Sequence, residues 1–67
     1  MISYAPLRAV LKERGISFRQ LRKELGIHST AATYLNNDSG YVSLYALEKL
    51  CIYLDLPLHE IVEFIRD

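Results

Sequence analysis

The sequence predicts an all-α fold of five short helices around one small core, and three features carry that prediction. Leucines and other apolar residues recur at spacings of three and four in separate stretches of the chain. Each stretch is bracketed by residues that start or stop helices. No stretch alternates apolar and polar residues like a sustained strand, apart from a short extended piece expected at Met1 to Tyr4.

The first helix is expected to open at Pro6, where proline's missing N–H costs nothing. Leu7, Val10 and Leu11 form its inner stripe, with Arg8, Lys12 and Glu13 opposite, and Gly15 ends it. Ile16 should pack inward just beyond. The tetrad Ser17-Phe18-Arg19-Gln20 has the form of a capping box, in which the Gln20 side chain reaches back to the cap. Phe18, Leu21 and Leu25 give the second helix its buried stripe, and Gly26 is a natural left-handed stop. Ile27 should plug the turn.

A short third helix begins near His28 or Ser29, with Ala32 and Leu35 inward and Ser29, Thr30, Thr33 and Tyr34 outward. The run Asn36-Asn37-Asp38-Ser39-Gly40 consists of turn formers, so the helix is expected to end there. Ser43 caps a fourth helix whose inner stripe is Leu44, Leu47, Leu50, Cys51 and Leu54. Pro57 marks a break and opens a fifth helix, with Ile61, Val62 and Ile65 facing inward.

Sixty-seven residues, about half of them apolar, suffice for one domain spanning residues 1–67. No apolar run approaches the length of a membrane span, and there is no basic leader followed by an apolar stretch. The single cysteine, Cys51, has no internal disulfide partner and reads as a small core residue. A soluble, cytoplasmic protein is therefore expected. His28, His59 and Cys51 lack metal-ligand spacing, and no nucleophile–base set, paired carboxylate site or glycine-rich phosphate loop is evident. Neither an enzyme, a metal nor a cofactor is expected.

Net charge is zero, yet its distribution is polarised. Residues 1–27 carry six basic and two acidic side chains, a net +4, and residues 28–67 carry the reverse. Such a chain can turn a basic face to a phosphate backbone while its other end stays acidic. Arg19, Arg22 and Lys23 on the second helix read either as phosphate contacts or as that helix's solvated face, and Arg8, Lys12 and Arg14 read as ordinary surface. His28 can bond a phosphate or a base, or simply start the helix in solvent.

Leu21, Leu25, Gly26, Ile27, Ala32 and Leu35 occupy the positions that a helix-turn-helix requires, with the unit spanning about residues 17–36. The segment SFRQLRKELGIHSTAATYLNN resembles the helix-turn-helix of phage-repressor and Cro-type (Xre-like) DNA-binding domains. VSLYALEKLCIYLDLPLHEIVEFI is similar to the fourth and fifth helices of that family, so the likeness runs from about Leu7 to Ile65. It implies a lambda-repressor-like domain and a phage- or prophage-type transcriptional regulator that occupies double-stranded operator DNA with its third helix.

By the same resemblance Ser29, Thr30 and Tyr34 match base-contacting positions, and Thr33 matches one that reaches bases or phosphate. Phe18 and Arg19 match positions close to the DNA backbone, and Asn37 and the Tyr41-Val42-Ser43 segment match phosphate-gripping ones. Three departures stand out: Arg22 where the family often has a small residue, His28 where it often has serine or threonine, and no Arg, Lys or Gln on the outer third helix. Bidentate reading of guanine by Arg, or of adenine by Gln or Asn, is thus not expected from that face. Tyr34 reads equally as groove-facing or as an aromatic lid on its own helix.

Tyr45, Ile52, Tyr53, Leu58 and Phe64 fall off the inner stripes and are candidates for a homodimer interface. A second reading keeps the fold but makes it an interaction module, which pairs with another regulatory protein through the surface of the last two helices.

Overall fold

The computed structural model describes residues 1–66. In chain order these form strand β1 (Ile2–Ser3), helices α1 (Ala5–Arg14), α2 (Phe18–Leu25), α3 (Ser29–Asn37) and α4 (Leu44–Leu54), a three-residue 3-10 turn (Leu58–Glu60) and strand β2 (Glu63–Phe64).

The helix boundaries follow from local chemistry. Pro6 sits in the first turn of α1, and Gly15 ends that helix at φ 70°. The Ser17 hydroxyl accepts the Gln20 backbone N–H at 3.1 Å and starts α2. Only this half of the expected capping box forms, because the Gln20 side chain lies beside the Tyr53 hydroxyl instead. Gly26, at φ 67°, closes α2. Ser43 caps α4 through the Ala46 N–H.

Leu7, Leu11, Leu21, Ile27, Leu35, Leu47, Leu50 and Leu54 converge in one core, joined by Tyr4 and Ile61. Each fully buried leucine removes enough apolar area to contribute about 2 kcal/mol against an exposed one. Leu44, expected inward, is 75% exposed: as the first residue of α4 it precedes the turn that meets the core.

The fifth helix does not form. Beyond Pro57 the chain makes only the 3-10 turn and then an extended strand, β2, antiparallel to β1 with Ile2 opposite Phe64 and Ser3 opposite Glu63. The Ile65 N–H donates to the Met1 carbonyl at 2.8 Å, continuing the pairing. The N-terminal strand therefore supplies backbone partners that a helix would have had to find within itself. Ile61 is buried as expected, Val62 is half-buried, and Ile65 is 39% exposed rather than inward.

Candidate nucleic-acid interface

Ile27 anchors the turn between α2 and α3 in the core, so the two helices meet at a fixed corner. His28 starts α3: its Nδ1 accepts the Thr30 N–H at 3.3 Å, which leaves the ring N–H at Nε2 facing outward. Ala32 and Leu35 pack inward, and Ser29, Thr30 and Thr33 are exposed.

The Thr33 hydroxyl donates to the Ser29 carbonyl at 3.0 Å. Its proton is spent inside the helix, so toward an outside group Thr33 offers lone pairs and a methyl. Asn37 accepts the Ser39 N–H at Oδ1, 3.0 Å away, so its amide NH2 remains to donate. The Ser43 oxygen accepts the Ala46 N–H, so the Ser43 proton also remains free to donate.

The fold sorts the expected contact residues into groups. Phe18, Arg19 and Arg22 of α2 line one open cleft with Ser29 and Thr33 of α3. His28 and Ser43 line a second, between the α2–α3 turn and the start of α4. Lys23 shares a third with Arg19 on the outer side of α2. Tyr34 is half-buried with its ring against Gly40, where an added Cβ would lie 2.6 Å from Tyr34 Cε1. The tyrosine thus covers the end of its own helix and the loop behind it.

Asn36 was missed. Expected in the turn, it belongs to the last turn of α3 and lines the first cleft with Ser29 and Thr33. Its spacing from them, seven and three residues, carried the signal. An amide side chain able to make bidentate contact with adenine is therefore present at this edge of α3, contrary to the expectation from sequence.

Charge is placed by two further contacts. Arg8 and Arg14, read as ordinary surface, are structural. Arg8 Nη1 donates to the Leu35 carbonyl at 2.8 Å and to Asp38 Oδ1 at 2.9 Å, while Nη2 donates to Oδ2 at 3.0 Å. Asp38 also accepts the Tyr4 N–H at 2.7 Å and the Ser3 hydroxyl at 3.1 Å. The Arg8 guanidinium and then the Tyr4 N–H hold the Asp38 carboxyl well below the usual carboxylate range, against the opposing effect of burial. Arg14 donates to the Leu54 carbonyl at the end of α4.

On α2, the Tyr53 hydroxyl donates to the Glu24 carboxylate, which raises the tyrosine's own pKa. The one acid of α2 is thereby engaged toward α4. Among the described residues, Arg19, Arg22 and Lys23 form no ion pair. Arg19 and Arg22 are the uncompensated cations beside the α3 surface, and Lys23 stands on the outer side of α2.

An exposed polar helix held at a fixed glycine corner to a second helix rich in unpaired arginine defines a helix-turn-helix domain. The model of the Cro/C1-type HTH DNA-binding domain matches residues 6–67, and the chain belongs to that family. Among solved structures it is similar to the crystal structure of the transcriptional regulator VanUg (form II). Identity is 27% and the TM-score is 0.88, over 98% of this chain and 87% of that one. No curated protein matches the chain.

Proposed function

We propose that this protein is a transcriptional regulator that occupies double-stranded operator DNA, with α3 in the major groove and the start of α2 on the phosphates. The observation that carries the reading is the cleft where Arg19 and Arg22 stand beside Ser29, Thr33 and Asn36. Family membership and the likeness to a transcriptional regulator support it.

Arg19, Arg22 and Lys23 supply the sequence-independent attraction, joined by the free Nε2–H of His28, the Asn37 amide and the Ser43 hydroxyl. Phe18 gives the cleft an apolar wall against the sugar-phosphate chain. Ser29, Thr30, Thr33 and Asn36 meet base edges: Thr33 through its lone pairs and methyl, Asn36 through its amide. Tyr34, packed on Gly40, shapes the rim. Single hydroxyl bonds and one amide discriminate less sharply than a row of Arg and Gln would, so DNA shape and bridging water carry part of the specificity.

The test is titration of the protein into duplex DNA from its own locus at two salt concentrations. Binding that weakens with salt is expected, and Arg19→Ala should weaken all sequences alike and lower the salt slope by about 1. No binding at low salt would overturn the proposal.

A further inference from the structure

We infer, resting on the DNA-binding reading proposed above, that Tyr4 is a positioning residue for the grip on phosphates. It holds the loop between α3 and α4 so that Asn37 and Ser43, at the two ends of that loop, stand at a fixed spacing before DNA arrives.

The loop has little of its own to hold its shape. Among the described residues, residues 39–42 make no backbone–backbone hydrogen bond. The Ser39 N–H goes to the neighbouring Asn37 side chain, and the Tyr34 ring packs against Gly40. The tie from far along the chain is Tyr4, whose hydroxyl accepts the Val42 N–H at 2.9 Å.

Tyr4 is itself immobile. It is 1% exposed and packs in the core. Its backbone N–H donates to Asp38 Oδ1 at 2.7 Å, and its carbonyl accepts the Arg8 N–H at 3.1 Å. One residue thus grips the loop at both ends: Asp38, next after Asn37, through its backbone, and Val42, just before Ser43, through its side chain. Strand β1 precedes it and pairs with β2, so the brace reaches back to a small sheet outside the helix-turn-helix.

Binding must offset the cost of ordering any mobile group it uses. With the Tyr4 bond in place, the Asn37 amide and the Ser43 hydroxyl are already ordered. Without it the half-buried Val42 N–H lacks an acceptor, and the loop must shift toward water to satisfy it. Both gripping groups are uncharged, so their misplacement lowers affinity without altering counterion release.

Tyr4→Phe removes the hydroxyl and keeps the ring. At a temperature where circular dichroism shows the variant folded, its affinity should fall about three- to tenfold for every duplex alike. The salt slope should stay that of wild type, unlike the slope of Arg19→Ala. In a background of Asn37→Ala with Ser43→Gly, glycine being tolerated at a helix cap, Tyr4→Phe should have no further effect. Amide exchange tests the tie without DNA or any variant: in wild type the Val42 N–H should exchange more slowly than those of Gly40 and Tyr41. Wild-type affinity in folded Tyr4→Phe, a loss that persists in the double background, or an unprotected Val42 amide would overturn this role for Tyr4 alone. A wild type that binds no duplex would overturn the DNA reading together with it.

Discussion

Replacing Asp38 by alanine should cost this domain a large share of its stability. One carboxylate receives two guanidinium N–H groups from α1, the Tyr4 N–H and the Ser3 hydroxyl, and so ties the N-terminal strand and α1 to the end of α3. Bonds to a charged group contribute about 1.5–3 kcal/mol each when well formed and are not additive. Here the side chains of Arg8 and Asp38 are 29% and 17% exposed, so water compensates part of the loss. Alanine must also take up the left-handed backbone at residue 38, φ 57°, at a cost of about 1 kcal/mol. Together these give a destabilisation of about 3 kcal/mol, from a total of roughly 3–10 kcal/mol for a chain this size.

Urea unfolding at neutral pH, followed by helical circular dichroism, measures the loss directly. Asp38→Asn, which tolerates the backbone and keeps one acceptor, should lose roughly half as much. Because the native carboxyl titrates lower than the unfolded one, its stabilisation is complete above the ordinary aspartate pKa near 4. It is lost as pH falls toward the depressed native value. The gap between wild type and Asp38→Ala should therefore be flat from neutral pH down to about 5 and narrow below about 4. A loss under about 0.5 kcal/mol, or no coupling between Asp38→Ala and Arg8→Met in a double-mutant cycle, would refute the clamp.

Asp55 ends α4 in the same left-handed conformation, φ 56°, with an acidic side chain at the negative end of the helix dipole. Asp55→Gly relieves both effects against a greater loss of chain entropy, so a net gain of about 0.5 kcal/mol is expected, read as a rise of a few degrees in melting temperature. Gly40→Ala should cost about 1 kcal/mol by pushing the Tyr34 ring off its seat, and should be nearly neutral when Tyr34 is already alanine. Equal costs in both backgrounds, again by urea unfolding, would show that the ring does not sit there.

What the sequence disclosed was local. Ser17, Gly26 and Ser43 set helix limits through bonds to residues at most four positions away, and the leucine stripes named most of the core. What it hid was long-range. The fifth helix failed because Ile65 pairs with Met1, at the other end of the chain, and the local pattern after Pro57 could not register that partner. Arg8 looked like free surface because its acid lies thirty residues on. Asn36 was hidden by a local signal taken too literally. The run of turn formers did end α3, but Asp38 served as the left-handed cap, so both asparagines before it stayed helical.

On the proposed DNA-binding reading, these corrections shift the source of specificity on α3. To the hydroxyls of that helix, Asn36 at the edge of the arginine-lined cleft adds an exposed amide capable of a two-pronged base contact.

The most direct test is selection of duplexes from a random library by wild type and by Asn36→Ala, with affinities then measured on the winning sequence. Wild type should select a defined sequence that includes an adenine. Asn36→Ala should lose preference at that base, with an affinity loss of about 1–3 kcal/mol confined to sequences that carry it. A wild type that binds duplex DNA without selecting any sequence, or an Asn36→Ala variant with unchanged preference and affinity, would contradict the account.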